Sequence, residues 1–189
     1  MNNIFQADIP TRFKDAKLSD FAEYFKEHPE DKFLIKEFIW GDGIWKSREI
    51  GGNTYWRDLK WRVLFVGGSV GTGKTHLICA IAAEYCKRGF AKYTTAYDMS
   101  QQIMKEKNAN KFKQTGLLII DEIGRGFETA SEEKRFFDLV NYRYDRLKPI
   151  IMCGNIKRKD LKQAVGEAIA DRMGENLSFV TLTGESKRQ

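Results

Sequence analysis

Residues 63–75 read Val63-Leu64-Phe65-Val66-Gly67-Gly68-Ser69-Val70-Gly71-Thr72-Gly73-Lys74-Thr75, an apolar run that passes into a glycine-rich turn. A short continuous apolar run ended by glycines is what a strand buried on both faces of a parallel sheet requires. Gly68, Ser69, Val70, Gly71, Thr72, Gly73, Lys74 and Thr75 then satisfy the pattern G-x-x-x-x-G-K-[ST]. Beyond them Leu77, Ile78, Ile81 and Tyr85 recur at helical spacing, and Gly89 is placed as a stop. The spacing predicts a helix over 73–88.

Strand, glycine-rich turn and helix in that order make a phosphate cradle. Gly71 and Gly73 let the backbone curl, so that successive N–H groups and the positive helix end face phosphate oxygens. Lys74 reaches the β- and γ-phosphates, and the Thr75 hydroxyl is a magnesium ligand. ATP and Mg2+ are therefore the expected cofactors. The rival dinucleotide fingerprint G-x-G-x-x-G fails, because His76 stands where its third glycine belongs.

A second acid is expected at the end of a neighbouring strand. Asp121 follows Leu117-Leu118-Ile119-Ile120, a run apolar on both faces, and Glu122 comes next. The first carboxylate can hold the metal while the second orients and deprotonates a water. A small-molecule kinase shares the phosphate loop but takes its nucleophile from the acceptor, so Glu122 favours hydrolysis.

Outward from these motifs, strands are expected over 91–96, 117–120, 150–153 and 177–182. Thr129 and Glu132 form a capping box ahead of a helix carrying Phe136, Val140 and Tyr144. Another helix carries Leu161, Val165 and Ile169 and stops before Gly174. Strands alternating with helices predict an α/β fold, a parallel five-stranded sheet with helices on both faces. Phe21, Tyr24 and Phe25 suggest a short helix, and a hairpin is expected around Gly51-Gly52-Asn53. Residues 1–61 are read as an N-terminal extension with an aromatic-rich segment and 62–189 as the ATPase core, one compact domain overall.

The chain has 189 residues, 42% hydrophobic and 31% charged, ordinary for a globular protein. No apolar run approaches membrane-spanning length, and the start lacks a signal-peptide pattern, so a cytoplasmic location with no membrane partner is expected. Cys79, Cys86 and Cys153 show no C-x-x-C spacing and are expected as buried free thiols. His28 and His76 have no partners suggesting a metal or a triad.

Ile9-Pro10-x-Arg12-Phe13, the phosphate loop, residues 117–124, Asn155, Ile169-Ala170-Asp171-Arg172-Met173 and Ser186-Lys187-Arg188 are matched in one family. Over residues 9–188 the chain resembles the AAA+ module of DnaC-like helicase loaders and the related IstB-like transposition ATPases. The resemblance implies that Asn155 looks towards the γ-phosphate, that Arg172 is an arginine finger reaching a neighbouring subunit, and that Arg188 is a second sensor. It implies a replicative helicase as partner and self-assembly through Arg172.

A net charge of +6 is compatible with a polyanionic partner. Lys105, Lys107, Lys111 and Lys113 precede one strand, and Lys157, Arg158, Lys159 and Lys162 follow another. Each cluster can track a phosphate backbone or form an ordinary solvated face. The resemblance favours the first cluster as a single-stranded DNA contact. Of the tryptophans Trp40, Trp45, Trp56 and Trp61, residues such as Trp40 and Trp45 can stack on bases or anchor a partner, and an aromatic cluster of this kind more often packs a local core. The expected function is an ATP-hydrolysing DNA replication accessory of helicase-loader type. The alternatives are a transposition-associated ATPase and a nucleotide-gated adaptor that turns over little ATP, the latter because almost nothing precedes Ile9 where such loaders carry a helicase-gripping domain.

Overall fold

The computed structural model describes residues 8–40, 45–50, 53–58, 60–124 and 129–184, with the backbone alone for 45–50, 53–58 and 175. Its centre is a five-stranded parallel sheet built from β3 (Val63–Gly68), β4 (Ala91–Thr95), β5 (Leu117–Ile123), β6 (Ile150–Gly154) and β7 (Leu177–Leu182). The spatial order is β4-β5-β6-β3-β7. The strand that leads into the glycine loop and the strand that carries Asp121 and Glu122 are therefore separated by β6 alone.

Side chains alternate across a strand, so each apolar run supplies two cores at once. Leu64 and Val66 of β3 join Ile119, Ile151, Cys153 and Val180 on one face, under α1 (Ala22–Glu27), α2 (Pro29–Trp40) and α3 (Lys74–Tyr85). Val63 and Phe65 join Leu118, Ile120, Ile150 and Met152 on the other. That face is covered by α4 (Ala96–Glu106), α5 (Asn110–Gln114), α6 (Ala130–Asp145), α7 (Leu161–Val165) and α8 (Glu167–Met173). The expected α/β architecture with helices on both faces is what the chain adopts.

Several boundaries differ from the sequence reading. The helix expected over 73–88 ends at Tyr85, and the N–H groups of Lys87 and Arg88 close tight turns onto the Glu84 and Tyr85 carbonyls. The helix through Leu161, Val165 and Ile169 is two helices, because Gly166 at φ 87° and ψ 149° breaks it. All three residues are nevertheless buried on one core. The strand expected to end at Ile120 continues to Ile123. Thr129 caps α6 by accepting the Glu132 N–H at 3.2 Å, the N-cap half of the expected capping box.

The N-terminal region holds the expected short helix as α1, and also α2, which sequence reasoning missed. Pro29 opens α2, and Ile35, Phe38 and Ile39 lie buried on the core. The expected hairpin is present: β1 (Trp45–Ile50) pairs antiparallel with β2 (Asn53–Asp58), Ile50 opposite Asn53. Gly51 and Gly52 themselves lie outside the described residues.

Arg143 of α6 is fully buried and ties the two core-side joints together. Its guanidinium donates to the carbonyls of Phe112, Thr115, Gly116 and Pro149 at 2.8, 3.1, 2.7 and 2.7 Å. Trp61 is also buried and donates its indole N–H to Lys148 O at 3.0 Å, so this tryptophan packs a core.

Candidate nucleotide site

The β3–α3 turn has the backbone that its glycines permit. Gly68, Gly71 and Gly73 adopt φ of 140°, 85° and 93°, values that side-chain-bearing residues rarely reach. At Gly68 a Cβ would also collide with the Leu182 carbonyl of the adjoining strand. The turn is closed from within: Thr72 Oγ1 donates to Ser69 O at 3.0 Å and Lys74 Nζ donates to the same oxygen at 2.5 Å. Gly73 at the start of α3 provides no side-chain cap, which leaves the first N–H groups of the helix to the concavity.

Opposite the turn stands Asp121, only 4% exposed. Its Oδ2 accepts the Thr75 hydroxyl at 2.8 Å and the Tyr93 hydroxyl at 2.9 Å, while Oδ1 accepts the Glu122 N–H at 2.7 Å. Burial, then the Asp121 carboxylate, pushes the Tyr93 hydroxyl and the Cys153 thiol up from their ordinary values and the Cys79 thiol to about 12. These groups stay neutral at physiological pH, and Tyr93 remains a donor. All three cysteines are buried and free, as their spacing suggested.

Glu122 is exposed at φ 59°, where the pairing of β5 with β6 slips between Ile120 and Ile123. An irregularity of this kind re-aims a side chain at a strand end. Asn155, exposed, follows β6 directly and so lies between the end of β5 and the phosphate turn. A hydroxyl and a buried carboxylate beside a phosphate loop fit magnesium, which takes one or two carboxylates plus phosphate oxygens and keeps several waters. Among the described residues no group of His, Cys, Asp and Glu forms an all-protein metal cage.

Other candidates fall elsewhere. Arg172 of α8 bonds its own helix at Ala168 O, 2.8 Å, and lies 5.3 Å over the Phe137 ring. Lys105 and Lys107 are exposed at the end of α4, whereas Lys111 pairs with Glu106 at 2.6 Å and Lys113 lies 5.0 Å over Tyr142. Arg158 lies 5.9 Å over Phe179, and Lys162 pairs with Glu167. Arg188 is outside the described residues. His76 is structural in setting: Nε2 lies 2.8 Å from Asp20 Oδ2 and the ring packs edge-on to Phe21.

Tyr93 was missed by sequence reasoning. Its signal was positional: in parallel neighbours with Thr95 beside Asp121, alternation puts Tyr93 on the Asp121 face. That inference needs the strand order, which local sequence patterns do not supply.

Among the described residues no helix is long and apolar enough to cross a membrane. Residues 51–189 match the model of the IstB-like ATP binding protein family. An ATP-binding protein of insertion sequence IS232 from Bacillus thuringiensis subsp. berliner is 30% identical over 139 residues, 67% of this chain and 55% of that protein. The chain thus spans about half the length of the curated relatives it matches. The crystal structure of DnaI superposes over 100% of both chains at TM-score 0.75 and 19% identity. The DnaC helicase loader covers 92% of this chain and 100% of its own at TM-score 0.67 and 18% identity. These structures share the AAA+ fold, and with the phosphate loop and the family match in place, the chain belongs to the IstB-like ATP-binding family.

Proposed function

We propose that this chain binds Mg-ATP in the β3–α3 turn and hydrolyses it, as a DNA-associated accessory of the helicase-loader type. The observation that carries the reading is Thr75 on Asp121 at 2.8 Å, which joins the phosphate turn to the acid-bearing strand. In this reading residues 68–75 cradle the phosphates, Lys74 releases Ser69 O to reach the β- and γ-phosphates, and Thr75 and Asp121 hold the ion. Bound magnesium would neutralise charge on the phosphate oxygens. Glu122 orients and deprotonates the attacking water, and Asn155 completes the γ-phosphate end of the site.

Arg172 serves a neighbouring copy. Charge that builds up on the transferring group is stabilised by a guanidinium supplied from the next subunit, with Arg188 as the second sensor. To serve there, Arg172 leaves Ala168 O and the Phe137 ring. Lys105 and Lys107, exposed together at the end of α4, support a backbone contact with single-stranded DNA better than Lys111 and Lys113, which are already engaged. A replicative helicase is the proposed partner, by likeness to the DnaC loader. Similarity to an insertion-sequence protein favours a second reading, an ATPase that serves transposition.

The experiment is steady-state hydrolysis over a range of protein concentrations, with and without single-stranded DNA, for wild type and Arg172→Ala. Specific activity that rises with concentration and collapses in the variant supports a shared site. Tight Mg-ATP binding without turnover under any condition contradicts hydrolysis and leaves a nucleotide-gated adaptor.

A further inference from the structure

We infer that Tyr93 is a positioning residue of the magnesium site, acting through the Asp121 carboxylate; this rests on the nucleotide site proposed above. Tyr93 belongs to β4, the edge strand beside β5. Its ring packs partly buried on the core shared with α3, and its hydroxyl donates to Asp121 Oδ2 at 2.9 Å.

A carboxylate on its own turns about the Cβ–Cγ bond in a broad, roughly two-fold well. Asp121 is anchored at both oxygens, by Thr75 and Tyr93 on Oδ2 and by the Glu122 N–H on Oδ1. The two hydroxyls are not equivalent. Thr75 sits in the first turn of α3, and in the proposed site its oxygen is also claimed by the ion. Tyr93 lies across the sheet from the phosphate turn, and in the proposed site it has no second duty. Its bond is the anchor that persists when nucleotide arrives.

The effect extends one residue further. The Asp121 carboxylate holds the Glu122 N–H while Glu122 sits at φ 59°, a left-handed conformation uncommon for a residue with a side chain. If the carboxylate turns, that bond loosens and Glu122 can relax towards an ordinary strand conformation, away from the γ-phosphate end. Tyr93 thus governs where both the metal-holding and the water-orienting carboxylates point, without touching either substrate or metal.

Tyr93→Phe in the full chain removes only the hydroxyl and keeps the ring. The experiment titrates Mg2+ against hydrolysis and against binding of a fluorescent ATP analogue, with EDTA as the metal-free reference. We expect unchanged metal-free binding and a melting temperature close to wild type. The Mg2+ concentration at half-maximal effect rises about tenfold, the lower end of what loss of an outer-shell partner costs. Turnover at saturating Mg2+ falls while KM for ATP holds. In an Asp121→Asn background, Tyr93→Phe adds no further shift in the Mg2+ dependence of binding, because the two act as one unit. A Tyr93→Phe variant with wild-type Mg2+ dependence overturns this inference and leaves the nucleotide site standing. Metal-free binding that weakens in step overturns it too, by making Tyr93 a general support of the fold. A wild type that fails to bind nucleotide overturns the site and this inference together.

Discussion

Thr75 and Asp121 are 46 residues apart in sequence, yet the hydroxyl of one donates to the carboxylate of the other at 2.8 Å. The contact bridges from α3 across β6 to β5, so it exists only when the sheet is complete. Replacing Asp121 by Asn swaps an acceptor-only group for one with a donor half and removes the charge. We expect hydrolysis to fall at least about a hundredfold, with metal-free nucleotide binding kept. Isothermal titration with ATP, with and without Mg2+, checks this. Equal Mg2+ enhancement in Asp121→Asn and wild type would remove Asp121 from the site.

Gly68→Ala carries two faults, a Cβ driven into the Leu182 carbonyl and a φ of 140°. Overpacking and backbone strain together predict a loss of about 3 kcal/mol or more, with nucleotide binding lost as the turn shifts. Urea unfolding and analogue binding on the same preparation test this. Gly184, also at positive φ but with nothing within 4 Å of where a Cβ would stand, is the matched control and should lose far less as Ala.

Arg143 holds carbonyls at the start of β5 and β6 with no exposed surface of its own. Arg143→Leu takes the guanidinium donors away from these buried carbonyls, Pro149 O keeping the Leu118 N–H at 3.3 Å, which predicts a loss of about 3–5 kcal/mol. Chemical denaturation measures it. A change under about 1 kcal/mol would mean that other donors replace the guanidinium.

Asp20 is held below its ordinary value of 3.8, first by the Lys17 N–H and then by His76. A carboxylate depressed in the folded state contributes stability above its unfolded value and loses it as pH falls through the folded one. Asp20→Asn should therefore melt lower than wild type near neutrality, and the gap should close as pH drops below about 3.8. Thermal melts at stepped pH show it. A gap that persists at about pH 2 would assign the effect to packing instead.

Much of this was open to reading in the sequence because apolar runs state their burial directly. Val63-Leu64-Phe65-Val66 and Leu117-Leu118-Ile119-Ile120 have no polar face, which leaves a doubly covered sheet as their setting. The phosphate turn was legible because its glycines stand at the positions where φ is positive. Helix α2 was missed although Pro29 and the spacing of Ile35, Phe38 and Ile39 fit one, because Phe33, an apolar residue on its exposed side, blurs the face that the buried residues define. The break at Gly166 was hidden, since a single glycine in a helical pattern is usually tolerated. Tyr93 and the slip at Glu122 depend on which strands are neighbours, which no local pattern encodes.

The central claim is tested most directly by comparing wild type with Glu122→Gln for Mg-ATP binding and for phosphate release in single and multiple turnovers. The substitution keeps shape and removes the base, so binding should hold while turnover falls by about 10²- to 10⁴-fold. Turnover equal to wild type, or an absence of Mg-ATP binding in both proteins, would contradict the account.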